Sequence, residues 1–306
     1  MDQRTAEVVV ATRPEFRGIE RVEPLEAGFS PHRKFLLIEG NAPRFILRFS
    51  SIETLDRLRG EFEVLRRLSA QGLTSSSVPV CFGITEDDSA CYTGTSYLPG
   101  EDAGAVLPKL SAEDQLDLGR AAGVELRKIY RLTPEGAGDW RGKHLRAYAL
   151  GVRATEAAGI SVPGEHLVQT YVEAKKALIE TASIGLMHND FDPRNIIVEG
   201  QALRGIIDFE GWDWGDPIHD FRKLAWFTLQ TSVPFARGQI EGYWSGSRMP
   251  ADFWQRYNLH VAMSLHRMLP FIADFDPAQL DDWITRARAI VEDHDLQDGG
   301  PPAWFE

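Results

Sequence analysis

One segment in the second half of the chain constrains the fold more than any other feature: a polar loop followed by two short apolar runs. The loop ends at Asn195, and the apolar runs cover residues 196–198 and 203–207. Because the link between the runs is short and contains glycine, the pattern predicts an antiparallel hairpin. Such a hairpin places Asn195, at the start of its first strand, beside Asp208, at the end of its second.

The polar residues of this segment occur in the order His188, Asp190, Asn195 and Asp208. Kinase catalytic loops have this order: the first Asp accepts the proton of the acceptor hydroxyl, and the Asn and the later Asp hold metal. The predicted hairpin brings these oxygen ligands together, and hard oxygen ligands suit Mg²⁺. A single Asp in a loop is usually solvated, but the whole spacing favours catalysis. For His188, packing of the loop is favoured over a role as general base.

Composition and charge argue against several function classes. The chain has 306 residues, 43% of them hydrophobic and 25% charged, which is typical of a globular protein of one large domain or two lobes. Nucleic acid is not an expected partner because no basic stripe exists. The sequence has no long apolar run, so no membrane partner is expected. Cys81 and Cys91 have no metal-type spacing, and we expect a reducing cytoplasm.

The net charge of −12 is unevenly distributed. Residues 188–306 carry 19 Asp and Glu against 10 Lys and Arg, a net charge of −9. An acidic C-terminal half could attract a cationic small molecule. A solvated acidic surface explains the same count equally well.

The first hundred residues predict strands with one helix, and the rest predicts mostly helices. Short apolar segments at 35–38, 45–49 and 78–82 read as strands, and residues 53–71 as an amphipathic helix. The turn signal Pro99-Gly100 closes this region. We therefore expect an N-lobe over residues 1–96 and a C-lobe over 97–306. Further helices are predicted at 111–130, 165–181, 216–230, 251–273 and 277–294.

The first predicted helix carries one acid on its apolar face. Glu61 follows Leu58 by three residues and precedes Leu65 by four, whereas Glu63 points the other way. A charged residue on a buried face usually has a partner. In a kinase fold the partner is the basic residue on the preceding strand, here Arg48, which also pairs with ATP phosphates. A solvent-directed Glu61 is the alternative.

With these motifs, the chain resembles the aminoglycoside phosphotransferase and choline kinase family. The residues that carry the resemblance are the catalytic segment, the G-D-P-x-x-D motif at 215–220, the phosphate-covering loop at 25–30 and the hinge at 97–100. The resemblance implies an α+β, protein-kinase-like, two-lobed fold. In that fold, a small antiparallel-sheet N-lobe with one long helix precedes a mainly helical C-lobe.

The resemblance also implies the cofactors and the roles of individual residues. The cofactors would be ATP, or GTP, and Mg²⁺. Asp190 would be the catalytic base, and Asn195 and Asp208 would hold the metal. Asp220 would tie its helix to the catalytic loop. The residues that would bind the nucleotide are Gly28 and Ser30 in the covering loop, Arg48 with Glu61, and Ser96 and Tyr97 through their backbone groups.

The acceptor predicted from these features is a small molecule with a hydroxyl group. Three acids lie near the catalytic loop in the sequence, and some of them should face the acceptor: Asp192, Glu210 and Asp213. An amine-bearing, aminoglycoside-like antibiotic is the leading acceptor, and choline, ethanolamine or another metabolite is the alternative. A catalytically idle nucleotide-binding module is the third interpretation, because Arg48 stands where the family usually has Lys. Trp212 and Trp214 could stack on a sugar or an ammonium group, or pack in the core.

Overall fold

The computed structural model describes residues 2–25, 32–73, 76–136 and 138–305. It divides into two compact units. The first, here called the sheet unit, comprises Met1–Glu101 and Ile196–Glu210; the second, the helical unit, comprises Asp102–Asn195 and Gly211–Glu306.

In the described residues, strands and helices alternate in the first part of the chain, and the later part is mainly helical. In chain order they are α1 Gln3–Thr12, β1 Arg21–Leu25, β2 Arg33–Glu39, β3 Ala42–Ser51, α2 Leu55–Ala70, β4 Pro79–Ile84, β5 Ala90–Ser96, β6 Glu101–Asp102, α3 Ala103–Val106, α4 Ala112–Ile129, α5 Trp140–Ala157, α6 Glu165–Lys175, α7 Ala177–Glu180, β7 Gly185–Met187, β8 Ile196–Glu199, β9 Ala202–Ile206, β10 Asp213–Gly215, α8 Leu229–Thr231, α9 Val233–Tyr243, α10 Phe253–Phe275 and α11 Leu280–Asp293.

The sheet unit is built on five antiparallel strands in the order β1-β2-β3-β5-β4. Apolar side chains that alternate along β2 and β3 fill one face, because successive residues of a strand point to opposite sides. Phe35 and Leu37 of β2 pack there with Leu47 and Phe49 of β3, and α1 and Phe16 join the cluster. This core holds the strand that carries Arg48.

Helix α2 presents its apolar face to the sheet unit. Leu58, Leu65 and Leu68 are buried at helical spacing, and Glu61 is buried among them. Periodicity at about 3.6 residues per turn therefore places one carboxylate in the interior, as the sequence predicts.

Strands β8 and β9 form the predicted antiparallel hairpin, with Ile196 opposite Ile206. The hairpin belongs to the sheet unit, whereas the division proposed from the sequence assigns it to the C-lobe. Two contacts explain the difference. Ser76 bridges to Ile206, and the backbone of Gly100 approaches Val198 so closely that a Cβ atom would lie 2.3 Å from the Val198 oxygen.

In the helical unit, α4 packs along α9 through small residues. A Cβ atom at Gly123 would lie 2.1 Å from the backbone oxygen of Gln239, so this approach requires glycine. Helix α10 is buried over much of its length and packs against α5, α6 and α11. Within the described residues, the structure contains no helix with the length and apolarity needed to span a membrane.

Two parts of the helical prediction need correction. Residues 216–230 do not form one α-helix: a 3₁₀ segment, Pro217–Phe221, precedes a π-helical turn, Leu224–Thr228, and the short α8. Helices α1, α5 and α9 were not predicted. In α5 only four residues are buried, so its apolar periodicity is weak, and α1 contains the β-branched run 8–10, which favours a strand.

Candidate active site

The catalytic loop of the helical unit is held by one buried aspartate. Asp220 accepts hydrogen bonds from the backbone N–H groups of His188, at 2.6 Å, and Asn189, at 2.8 Å. The Tyr130 hydroxyl donates to the same carboxylate at 2.6 Å. Asp220 thus ties its segment to the catalytic loop, as the resemblance implies, but the segment is the 3₁₀ turn Pro217–Phe221 and not the expected helix.

Asn189 takes a left-handed backbone conformation, with φ of 66°. Glycine adopts this conformation without strain, and Asn is among the few other residues that tolerate it. The Asn189 amide donates to the Gly211 backbone oxygen at 2.9 Å, which fixes the turn. This turn immediately precedes Asp190 and so sets the backbone direction at that residue.

The carboxylate of Asp190 is bound on both oxygens. Lys223 Nζ lies 2.5 Å from Oδ1, and Asn195 Nδ2 donates to Oδ2 at 2.9 Å and to the Asp190 backbone oxygen at 2.8 Å. The backbone N–H of Asp190 donates to His188 Nδ1 at 3.2 Å, so His188 supports the loop. Because the Asn195 amide nitrogen is committed to Asp190, its Oδ1 is the atom suited to a cation.

The ionised form of Asp190 is favoured. Burial acts to raise the pKa of this carboxyl, but the Lys223 charge and the hydrogen bonds from Lys223 and Asn195 outweigh it, and the pKa lies below its usual value. The side chain is still 40% exposed. A reactive group can therefore reach an ionised carboxylate.

Asp192, by contrast, is fully buried. Its carboxylate accepts hydrogen bonds from Nε of Arg194 at 3.0 Å, from Nη2 at 2.8 Å and from the Arg194 backbone N–H at 2.9 Å. An acceptor could reach Asp192 only if this pair opened. The carboxylate thus stabilises the loop in the observed structure.

In the sheet unit, the predicted pairing of Arg48 with Glu61 is present. Arg48 Nη2 lies 2.5 Å from Glu61 Oε2, and both residues are buried. Burial raises the pKa of the Glu61 carboxyl against the opposing effect of Arg48. Arg48 Nε has no partner among the described residues, which leaves a buried N–H donor on the guanidinium. The nucleotide role of the pair stays a prediction.

Asp208 follows the hairpin of the sheet unit in a left-handed conformation, with φ of 65°. Non-glycine residues in this conformation cluster at functional sites. Two residues later, Glu210 binds His32 at 2.5 Å, and its backbone oxygen accepts from Arg57 Nη2 at 2.7 Å. Hydrogen bonding to His32 lowers the pKa of Glu210 against the effect of burial.

The remaining predicted residues have mixed placements. The backbone N–H of Ser96 donates to the Val78 oxygen and that of Tyr97 to the Arg44 oxygen, so both are engaged within the sheet unit. Gly28 and Ser30 lie outside the described residues. Asp213, in the helical unit, pairs with Lys143. Each of the three acids predicted to face the acceptor thus has a basic partner.

Three buried histidines of the helical unit, His144, His219 and His260, offer nitrogens within 4.8 Å of one another. Arg222 donates to Nδ1 of His219 at 2.9 Å, so the other nitrogen of this neutral ring carries the proton and offers no lone pair. Burial lowers the pKa of His144 to about 2. The His144 ring stacks on Trp140, and the His219 and His260 rings meet Trp140 edge to face. His260 Nε2 lies 3.0 Å from the buried Asp216 carboxylate, so the three rings are held by packing and by neighbouring protein groups.

Sequence reasoning missed Lys223, the residue in direct contact with the predicted base. Lys223 lies 33 residues after Asp190 and immediately before the π-helical turn. The only sequence signal was the proximity of Arg222 and Lys223 to the G-D-P-x-x-D motif in a region that is otherwise acidic.

Comparison with known proteins agrees with this fold. The chain is similar to aminoglycoside phosphotransferase APH(2'')-IIa in its gentamicin complex, with 18% identity, coverage of 100% of this chain and 98% of the other, and a TM-score of 0.67. ADP-bound APH(2'')-Ib has 17% identity, 97% coverage of both chains and a TM-score of 0.61. The GDP complex of aminoglycoside 2'-phosphotransferase-IIIa has 18% identity, coverage of 95% and 98%, and a TM-score of 0.62.

The fold is therefore the kinase-like fold of aminoglycoside phosphotransferases, as predicted. The phosphotransferase enzyme family matches residues 21–253, about three quarters of the chain. The chain belongs to this family. A search among curated proteins found no match.

Proposed function

We propose that the protein transfers the γ-phosphoryl group of ATP, or GTP, to a hydroxyl of a small polar molecule, with an aminoglycoside-like acceptor favoured. The observation that carries the proposal is the environment of Asp190, a partly exposed carboxylate with a lowered pKa, oriented by Asn195 in a loop that is hydrogen-bonded to Asp220. Family membership gives the reaction class, and the structural neighbours bind aminoglycosides and ADP or GDP.

In the proposed reaction, Asp190 accepts the proton of the acceptor hydroxyl. The hydroxyl oxygen forms a bond to the γ-phosphorus as the bond from that phosphorus to the β-phosphate oxygen breaks, and the nucleoside diphosphate leaves. Positioning and electrostatic stabilisation supply most of the rate enhancement in such transfers. The loop held by Asp220 provides the positioning.

The residues that would hold Mg²⁺ are Asn195 and Asp208. Both fit a hard cation: Asn195 keeps its Oδ1 for a ligand, and Asp208 offers a carboxylate. When bound, the metal would neutralise charge on the β- and γ-phosphates. Arg48, fixed by Glu61, would contact the nucleotide phosphates through its remaining donors.

A second acceptor class, a choline-, ethanolamine- or other metabolite-type alcohol, is favoured by the pairing of the acids. Asp192, Glu210 and Asp213 each contact a basic side chain, so these three acids do not need a polycationic acceptor as a partner in the observed structure. Trp212 and Trp214 meet edge to face at 6.0 Å, and neither is fully buried. This aromatic pair suits either a sugar ring or a single ammonium group.

The test is nucleotide consumption with a panel of aminoglycosides and amino alcohols, with products identified by mass spectrometry. We expect acceptor-dependent consumption and a product heavier by one phosphoryl group. The preference between ATP and GTP is measured in the same assay. A wild-type protein that binds nucleotide but modifies no acceptor would support the idle-module interpretation.

A further inference from the structure

The ion pair at Asp190 is asymmetric in its exposure. The Asp190 side chain is 40% exposed, whereas that of Lys223 is 12% exposed. The cation therefore supports the carboxylate from the protein side, and the carboxylate keeps an open side. A surface ion pair would expose both partners.

An aromatic ring fixes the position of the Lys223 ammonium. Nζ lies 4.5 Å from the ring centroid of Phe227, which belongs to the π-helical turn Leu224–Thr228. The Arg194 guanidinium also faces this ring, at 5.3 Å, and Arg194 is bound to the buried Asp192. Cation–π contacts of this kind hold a partly desolvated cation in one place. π-Helical turns are frequent at functional sites.

We propose that Lys223 is a positioning residue that orients the carboxylate of Asp190 for acceptance of the acceptor proton, an inference that rests on the proposed function. Lys223 binds Oδ1 and Asn195 binds Oδ2, so the carboxylate cannot rotate freely. Each carboxylate oxygen has two lone pairs. One lone pair on each oxygen thus stays available for the hydroxyl proton.

Other charged or titratable groups face Asp190 from the surrounding elements. His188 acts through Nδ1, Arg194 is bound to Asp192, and Arg222 contacts His219 and Asp220. Both arginines are thus engaged with other acceptors. Lys223 is the cation in direct contact with the Asp190 carboxylate within the described residues.

The first experiment compares Lys223→Met, Lys223→Arg and Lys176→Met in acceptor-dependent turnover. Lys176, immediately after α6, forms a 2.5 Å pair with Glu173 in which both side chains are largely exposed, and it serves as the matched control. Lys223→Met should lower kcat about tenfold or more, because a misplaced base loses near-attack geometry, with KM for the nucleotide little changed. Lys223→Arg should recover part of the rate, since it keeps the charge with a different shape. The control should match the wild type.

The acidic limb of the pH–rate profile gives a readout that a merely structural role would not move. Loss of a cation in contact with a carboxylate raises its pKa by about one pH unit or more. The limb should move to higher pH by that amount in Lys223→Met and remain in place in the control. Unchanged kcat and an unmoved limb in an active, folded Lys223→Met protein would overturn the positioning role.

A second measurement does not depend on catalysis. The ¹³C resonance of the Asp190 carboxyl, assigned by its loss in Asp190→Asn, can be titrated in the wild type and in Lys223→Met. We expect the titration of Lys223→Met to move to higher pH, and coincident titrations would overturn the inference. Failure of the proposed function is distinct, because it would appear as a wild-type protein without acceptor-dependent turnover.

Discussion

The two units each contain a basic–acidic pair at 2.5 Å, Arg48–Glu61 in the sheet unit and Lys223–Asp190 in the helical unit. They differ in exposure. Both partners of the first pair are buried, with side chains 11% and 7% exposed, whereas Asp190 is 40% exposed. A fully buried pair fixes structure at a desolvation cost, and a half-exposed pair leaves its acid available for chemistry.

The pKa shifts of the two acids follow this difference. Burial raises the pKa of Glu61 in spite of Arg48, whereas the pKa of Asp190 is lowered by Lys223 and Asn195 in spite of its partial burial. The basic partner lowers the pKa of the acid in both pairs, but the net shift is upward for Glu61 and downward for Asp190. The balance between desolvation and the partner charge decides which effect dominates.

The largest expected effect would come from neutralising the exposed acid. Asp190→Asn should lower turnover about 10²- to 10⁴-fold, which is the contribution of a positioned general base. Nucleotide affinity, measured by calorimetry, should change little. Glu63→Gln, on the exposed face of α2, is the control and should keep full activity. Near-normal turnover of a pure Asp190→Asn preparation would remove Asp190 from the catalytic role.

The comparison also shows what the sequence could predict. The burial of Glu61 and the hairpin could both be predicted because they depend on local periodicity, which a few turns of helix or a few residues of strand are enough to show. The partner of Glu61 is then predicted from the kinase fold, in which the basic residue on the preceding strand, here Arg48, pairs with this acid. Lys223 lies immediately before a π-helical turn, which apolar spacing does not predict, and it contacts an acid 33 residues earlier in the chain. The prediction of one regular helix over 216–230 failed at the same place.

Charge pairing is equally difficult to predict from sequence. The acids at 192, 210 and 213 looked available because the C-terminal half is acidic overall. Their partners lie two, 178 and 70 residues away, in the case of Arg194, His32 and Lys143 respectively. The composition gives the number of charges, but which charges form pairs is decided by the tertiary structure.

The second prediction breaks the buried pair. Arg48→Ala leaves Glu61 in the interior without its partner, which should destabilise the protein by about 3–5 kcal/mol. Urea denaturation measures the loss. Arg48→Met combined with Glu61→Leu should recover most of the stability but not nucleotide binding. If Arg48 contacts the nucleotide, Arg48→Ala should raise the ATP concentration needed for activity, and Arg48→Lys should be partly active. An unchanged ATP dependence of Arg48→Ala would show that Arg48 has no part in nucleotide binding.

The third prediction concerns acid. Burial lowers the pKa of His144 to about 2 and that of His219 well below its usual value. The unfolded chain binds protons below about pH 6.5 while the folded rings stay neutral, so stability is complete above that pH and lost as pH falls. For His144 alone the loss at pH 5 is about 2 kcal/mol.

The chain offers a selective probe for this effect. All 8 tryptophans lie in the helical unit, and His32 is the one histidine of the sheet unit. Urea unfolding followed by tryptophan fluorescence at pH 7.5 and pH 5 therefore reports the helical unit. His144→Leu should reduce the pH dependence, and His166→Gln, at an exposed position, should not. An equal pH dependence in all three proteins would contradict the assignment to the buried cluster.

The smallest effect is expected for the acceptor's dependence on salt. An open acidic cleft would make the KM of an amine-bearing acceptor rise with salt, as the charge count of the sequence suggests, because screening acts over about 8 Å at physiological ionic strength. In the structure Asp192 and Asp213 already contact the cations Arg194 and Lys143, so the field of these two acids is partly cancelled. We therefore expect KM to change by about twofold or less between low and physiological salt.

Lys143→Met tests the reason directly: it frees Asp213 and should lower KM for a cationic acceptor at low salt while leaving a neutral acceptor unaffected. A steep salt dependence in the wild type would show instead that these pairs open when the acceptor binds.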